Sequence, residues 1–252
     1  MAKVLECRVA QKDTCGGCTR LVLEQPALAA MARQGQFLHI RCGEAQLLRR
    51  PISICDVEND TLSIVFEVRG VGTEWLSQRQ VGDLLDVLGP LGNGFPAVDG
   101  KILVAGGGIG VPPMLLTAKC ADAADAVLGF RNAERQMLTD AFAAVCGKVL
   151  CMSDDGSCGQ QGYVADGVRQ MLAQERYAAV MACGPRMMLK TVAAAAQEAE
   201  VPCYVSMEER MGCGIGACLV CACKTRKNGE EGYQHVCKDG PVFPAEEVCW
   251  DD

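Results

Sequence analysis

The sequence predicts a β-barrel plus α/β architecture. An N-terminal antiparallel barrel leads into a doubly wound parallel-sheet domain, and a small cysteine-rich C-terminal domain follows. Three observations predict it. Short alternating apolar runs fill residues 1–97; apolar strands alternate with helical stretches over 98–202; residues 203–252 are Cys- and Gly-rich with little periodicity. These ranges are the expected domains. The chain has 252 residues, 50% hydrophobic, which is enough apolar material for real cores.

In the first part the runs are Leu5–Val9, Thr19–Leu23, Phe37–Arg41, Ile52–Val57 and Thr61–Arg69. Turn clusters such as Lys12-Asp13 and Glu58-Asn59-Asp60 separate them. Closely spaced short strands point to a small barrel or sandwich. Residues Gln25 to Ala32 read as a helical turn or a loop crossing the barrel, and Gly89 to Phe95 as a turn-rich exit.

The second part opens with the buried-strand run Lys101 to Ala105, then Gly106-Gly107-Gly108-Ile109-Gly110, then a helix expected over Pro113–Asp125. Further strands are expected at Ala126–Phe130, Lys148–Met152 and Tyr177–Cys183, with a helix at Arg186–Glu198. Strands alternating with helices argue for a parallel sheet.

Composition excludes several classes. The net charge of −7 argues against a nucleic-acid binder, which needs a basic face for phosphates. No run of about 18 apolar residues exists to span a membrane. No secretory signal opens the chain, so a cytoplasmic location is expected and the 17 Cys do not read as a disulfide framework. Only 2 His leave few imidazoles for acid–base catalysis or metal binding.

The cysteines carry the sharpest signal. Cys213, Cys218 and Cys221, with Cys237 further on, form C-x4-C-x2-C…C, the plant-type spacing for a [2Fe–2S] cluster. Thiolates must converge on two irons from a tight loop. Gly212, Gly214 and Gly216 permit positive φ and let amides face the sulfur. Zinc wants paired C-x2-C knuckles or added His, and only Cys218/Cys221 fits one. A Rieske centre needs two His, and only His235 is near. Cys223 and Cys249 lie outside the pattern.

Two further regions suggest phosphate binding. Arg50-Pro51-Ile52-Ser53 at a strand start offers a counter-charge, a fixed φ and a hydroxyl. Downstream, Glu67-Val68-Arg69 precedes Gly72-Thr73, which supplies backbone amides, with Thr73 expected as the N-cap of the helix it opens. The loop Gly106–Gly110 follows a strand and opens a helix, as a phosphate loop must, although its spacing is not G-x-G-x-x-G. Cys183-Gly184-Pro185 sits just past another strand, at the edge where such sheets bind ligands. Arg131 either meets a 2′-phosphate or is solvated.

Taken in order, these motifs resemble the ferredoxin–NADP reductase superfamily. With the cluster set and Ser153-Asp154-Asp155-Gly156-Ser157 added, the chain looks like the electron-transfer subunits of NAD-dependent, type B dihydroorotate dehydrogenase. The resemblance runs over essentially the whole length. It implies that Arg50, Pro51, Ile52, Ser53, Glu67, Val68, Arg69, Gly72 and Thr73 hold FAD. It implies that Gly106, Gly107, Gly108, Ile109, Gly110, Asp155, Cys183, Gly184 and Pro185 face NAD. Four Cys at the cluster positions favour this family over small subunits of ferredoxin–NADP reductase, sulfide dehydrogenase or hydrogenase complexes, some of which carry Asp at one ligand position.

A nicotinamide passes two electrons together and an iron–sulfur cluster passes one, so flavin belongs between them. The expected order is partner flavin, cluster, FAD, then NAD⁺. Dihydroorotate oxidation also needs a base, and no His, Cys or carboxylate constellation supplies one. A partner subunit holding FMN is therefore expected, in a heterotetramer with two of each chain and with no catalytic residue here. Arg131 pulls towards NADP and the resemblance towards NAD.

Overall fold

The computed structural model describes residues 3–227 and 229–251. Its first strands, β1 (Lys3–Cys15) and β2 (Cys18–Glu24), form a hairpin around Gly16-Gly17. Both glycines have positive φ, +54° and +73°, which a two-residue hairpin turn demands. The short helix α1 (Pro26–Met31) follows, with Pro at its start where no amide partner is lost. Then come β3 (Phe37–Ile40), β4 (Arg50–Glu58), β5 (Thr61–Phe66), helix α2 (Val71–Ser77) and β6 (Leu84–Leu91).

The six strands close into an antiparallel barrel in the order β1-β2-β5-β4-β3-β6. Closure removes the exposed edges an open sheet would leave. Alternate side chains, among them Val9, Leu21, Leu38, Ile54 and Ile64, fill the interior. The strand β6 runs through Gly89 and Pro90, where Gly89 pairs with Lys3, so the turn-rich exit begins later than expected.

The second domain is built from β7 (Lys101–Gly107), α3 (Val111–Lys119), β8 (Ala123–Phe130), α4 (Thr139–Ala143), β9 (Val149–Ser153), β10 (Gln160–Gln161), α5 (Val164–Gln174), β11 (Ala179–Cys183), α6 (Arg186–Glu198) and β12 (Cys203–Ser206). Helix α3 stops at Lys119 rather than Asp125, because Ala123 to Asp125 pair with Lys101 to Leu103 in the sheet. Helix α5, absent from the sequence expectation, packs Val164, Val168 and Met171 into the core.

Two hairpin strands, β13 (Ala222–Lys227) and β14 (Glu230–His235), precede β15 (Val242–Pro244). The last of these joins the main sheet, whose order is β10-β9-β8-β7-β11-β12-β15. Every pairing is parallel except β12 with β15. The strand order reverses between β7 and β11, which makes their C-terminal ends the natural ligand crevice.

Opposite that crevice, buried Asp125 accepts hydrogen bonds from Tyr177 Oη at 2.7 Å and from the Lys148 amide at 2.8 Å, and pairs with Lys101 at 2.8 Å. The two domains are tied by Lys119 reaching Asp56 and Glu58 on β4, and by an ion pair between Arg135 and Glu67.

Candidate functional site

The barrel edge comes first. The Arg50 side chain lies over the start of α2: a Cβ on Gly72 would fall 2.5 Å from its Nε. Only a residue without a side chain lets the guanidinium settle against that backbone. Arg50 also donates to the Leu48 carbonyl at 2.5 Å and to Gln46 at 3.3 Å. Thr73 sits one turn inside α2 rather than at its cap, which is Gly70. Its hydroxyl accepts from the Arg69 amide at 2.9 Å and the Gly70 amide at 3.2 Å. Glu67 is held by Arg69 at 2.8 Å and by Arg135, while Val68 and Arg69 stand exposed. Pro51, Ile52 and Ser53 lie on β4, where Pro51 and Ser53 pair with His39 and Phe37. A bare backbone beside a fixed guanidinium fits the diphosphate of a flavin nucleotide.

At the sheet crevice, Gly106 and Cys183 are register partners on β7 and β11. Gly107 packs against Met188, and Gly110 against the Cys183 carbonyl, so the glycine loop and the Cys183-Gly184-Pro185 turn touch directly. Burial pushes the Cys183 thiol up to about 12, despite a hydrogen bond with Ser206. It is a neutral thiol, not a nucleophile. Asp155 lies beyond β9, two strands from β7 in the sheet. Its carboxylate accepts from the Ser157 hydroxyl at 2.6 Å and amide at 2.9 Å, which lowers its pKa. The Ser157 hydroxyl in turn accepts from the Ala133 amide at 2.8 Å.

Between β12 and β13 the chain makes a cysteine loop. The thiol of Cys213 accepts from the amides of Ala217 at 3.2 Å, Cys218 at 3.4 Å and Ile215 at 3.5 Å. The Gly216 amide donates to Cys237 Sγ at 3.1 Å, and the Cys237 amide to Cys221 Sγ at 3.4 Å. Burial alone would raise Cys213, but these donors bring it down to about 6. Burial and the adjoining Cys221 thiol push Cys237 up to about 12. Hydrogen bonding thus joins Cys213 to Cys218 and Cys221 to Cys237. Among the described residues no three His, Cys, Asp or Glu side chains surround a single metal-ion position. Two thiol pairs in an amide-lined loop suit two irons, each taking two thiolates. Cys223 is buried on β13, its thiol pushed up to about 11 by burial, and Cys249 is half-buried; neither joins these pairs.

One cleft, about 640 Å³ in volume, lies where the three regions meet. Its walls are Leu48–Pro51 from the barrel, Gly184–Arg186 with Leu189 from the sheet crevice, and Met207–Met211 leading into the cysteine loop. The last segment escaped the sequence reading because it carries no motif. Its position just past β12, beside β11, is the signal that could have found it.

His39 also escaped notice. It is fully buried on β3, in the otherwise apolar run Phe37 to Ile40, with neither ring nitrogen hydrogen-bonded. Burial, reinforced by the Arg49 guanidinium, lowers it to about 4, against a weaker pull from the nearby backbone of Arg49 and Cys213. The ring is therefore neutral near pH 7.

Comparison with known proteins agrees with this geometry. Residues 208–249 match the iron–sulfur cluster binding domain of dihydroorotate dehydrogenase B. The chain is 42% identical over 215 residues to the dihydroorotate dehydrogenase B (NAD⁺) electron transfer subunit of Caldanaerobacter subterraneus subsp. tengcongensis, covering 85% of this chain and 86% of that one. It is 42% identical over 241 residues to the subunit of the same name from Desulforamulus reducens, covering 90% and 91%. Among solved structures, one of an NADH-dependent reduced ferredoxin–NADP oxidoreductase superposes with a TM-score of 0.88 at 30% identity, covering 100% of this chain and 92% of that one.

Proposed function

The chain belongs to the family of dihydroorotate dehydrogenase B electron-transfer subunits, and from that membership we propose how its residues serve the reaction. The subunit links dihydroorotate oxidation, a step of pyrimidine synthesis, to NAD⁺, and it carries FAD, a [2Fe–2S] cluster and a nicotinamide site. When bound, FAD exchanges electron pairs with a nicotinamide and single electrons with an iron–sulfur cluster.

The single observation that supports the assignment of parts is the shared cleft, which sets Arg50 and Pro51 of the flavin segment opposite Gly184 and Pro185 of the nucleotide turn, with Met207–Met211, the stretch leading to the cysteine loop, as its third wall. Arg50 and Gly72, with Thr73 ordering the loop before α2, hold the flavin diphosphate; Pro51, Ile52 and Ser53 line its strand, and Glu67, Val68 and Arg69 its outer edge. The Gly106–Gly110 loop, the Cys183–Pro185 turn and Asp155 face the nicotinamide nucleotide. Cys213, Cys218, Cys221 and Cys237 ligate the cluster. The division at 1–97, 98–202 and 203–252 separates these three tasks.

The partner is a catalytic subunit that holds FMN and supplies the base, in a complex of two chains of each kind. Ile215, Leu219 and Val220 on the cysteine loop are more than half exposed, and we assign them to the partner's interface. In the same reading the subunit works in the cytoplasm, where a reducing medium keeps its cysteines as thiols. No helix among the described residues is long and apolar enough to cross a membrane.

A second reading, a subunit of a ferredoxin–NADP-type complex, is favoured by the superposition over the whole chain. Copurifying the chain with its partner decides between them. The expected complex contains FAD, FMN and iron and reduces NAD⁺ with dihydroorotate. Dihydroorotate oxidation by this chain alone, or a complex active only with ferredoxin, would overturn the first reading.

A further inference from the structure

Resting on the reading of Cys237 as a cluster ligand, we infer that Asn93 is a positioning residue: it grips the three carbonyls that follow Cys237 and so sets where the cluster stands relative to the flavin-binding strands. Asn93 lies in the glycine-rich exit from the barrel, two residues past β6. Its side-chain amide donates to the carbonyls of Lys238 and Asp239, both at 3.0 Å. Its backbone amide donates to the Gly240 carbonyl at 2.6 Å, and its own carbonyl accepts from the Val242 amide at 3.4 Å. One residue thus takes up three consecutive carbonyls of the turn that carries the fourth ligand.

The turn does not supply those donors itself. The amides of Lys238, Asp239 and Gly240 converge on the His235 carbonyl, at 2.9, 2.7 and 3.3 Å, so the carbonyls of the same residues look outward for partners. A carboxamide offers two N–H donors in one plane, one for each of two neighbouring carbonyls. Gly92 lets the exit come this close. Its φ is +78°, and a Cβ there would collide with Pro241 and sit 2.9 Å from the Gly240 oxygen.

Both ends of the link reach a site. Towards the cluster, the Lys238 side chain lies under Gly216, where a Cβ would meet its Cδ at 2.6 Å, and the Gly216 amide donates to Cys237 Sγ at 3.1 Å. Towards the flavin segment, Gln36 donates to the Gly92 carbonyl at 2.8 Å, Leu91 pairs with Phe37, and Phe37 pairs with Ser53. A path from Ser53 to Cys237 therefore runs through Asn93. Transfer of an electron between two centres depends on how they are held, so slack at Asn93 slows the exchange without altering the pocket of either cofactor.

The test uses the complex purified with its partner, reduced with NADH. Stopped-flow absorbance follows FAD, freeze-quench EPR follows the cluster, and iron and FAD are counted per chain. In Asn93→Ala, iron, FAD and the rate of FAD reduction should match wild type, while the lag before the cluster signal lengthens on the order of tenfold. Asn93→Gln, which keeps both donors, should recover part of that loss. An unchanged lag in iron-replete Asn93→Ala overturns the inference. Equal slowing of FAD and cluster also overturns it, because that marks a general loss of structure. If Asn93→Ala loses its iron or does not fold, Asn93→Gln decides. Full iron with a lengthened lag supports the inference; full iron with a wild-type lag, or iron lost again, overturns it. A wild-type complex lacking any cluster signal would instead sink the functional reading itself.

Discussion

Gly110 packs so closely on the carbonyl oxygen of Cys183 that no side chain fits between them. The contact joins the glycine loop to the turn that follows β11. Gly110→Ala must push the two apart, an overpacking that costs about 1–3 kcal/mol. Thermal unfolding should report that loss, and NADH titration should show weakened binding. Wild-type NADH affinity in a folded Gly110→Ala protein would remove the loop from the nucleotide site.

Arg50 against Gly72 makes the corresponding prediction for the flavin. Arg50→Ala removes a charge-assisted contact of about 1.5–3 kcal/mol, on the order of ten- to a hundredfold in FAD affinity. Dialysis should strip FAD from the variant while its iron content holds. Equal retention of FAD would place the diphosphate elsewhere.

Cys218→Ser breaks one of the thiol pairs while leaving the barrel untouched. The cluster EPR signal should vanish and FAD absorbance remain. Loss of both would mean that the loop and barrel do not fold independently of the cluster.

Asp125 is fully buried and holds Tyr177, Lys101 and the Lys148 amide together. Asp125→Ala strands those groups, and about 3–5 kcal/mol of stability should go with it in chemical denaturation. The site lies at the far end of the sheet, so cofactor content of the folded fraction should be unchanged.

Glu175 gives a pH signature. Hydrogen bonds from Lys101 and Lys148 lower its carboxyl from 4.5 to about 2. A depressed folded pKa stabilises above the unfolded value and is lost as pH falls through the folded one. The wild type should therefore lose stability between about pH 4.5 and 2 more steeply than Glu175→Gln. Parallel curves would show that these exposed ion pairs contribute nothing.

Much of this was legible in the sequence because single residues are constrained by local physics. The barrel strands announced themselves by alternation, and of the short motifs behind the family resemblance the Gly106–Gly110 loop, the Cys183–Pro185 turn and Arg50-Pro51 come together in space. Thr73 was misplaced by three residues because a hydroxyl can serve a helix start from inside its first turn as well as from its cap. Helix α3 was drawn too long because Ala123 to Asp125 suit a helix as well as a strand, and pairing with β7 decides. The hairpin of β13 and β14 is polar and short, so it shows no period. His39 and the Met207–Met211 wall depend on distant partners, Gly214 for one and Arg50 with Gly184 for the other, and no local pattern encodes those.

The antiparallel pairing of β15 with β12 makes the cysteine segment a loop anchored at both ends. Val205 faces Phe243, Ser206 faces Val242, and the Met207 amide reaches the Pro241 carbonyl at 2.8 Å. Releasing the segment means unzipping a sheet, not fraying an end. The two ends of the cysteine segment therefore stay tied to one sheet, so the loop that carries the four cysteines is closed at its base by backbone pairing rather than by the cysteines themselves.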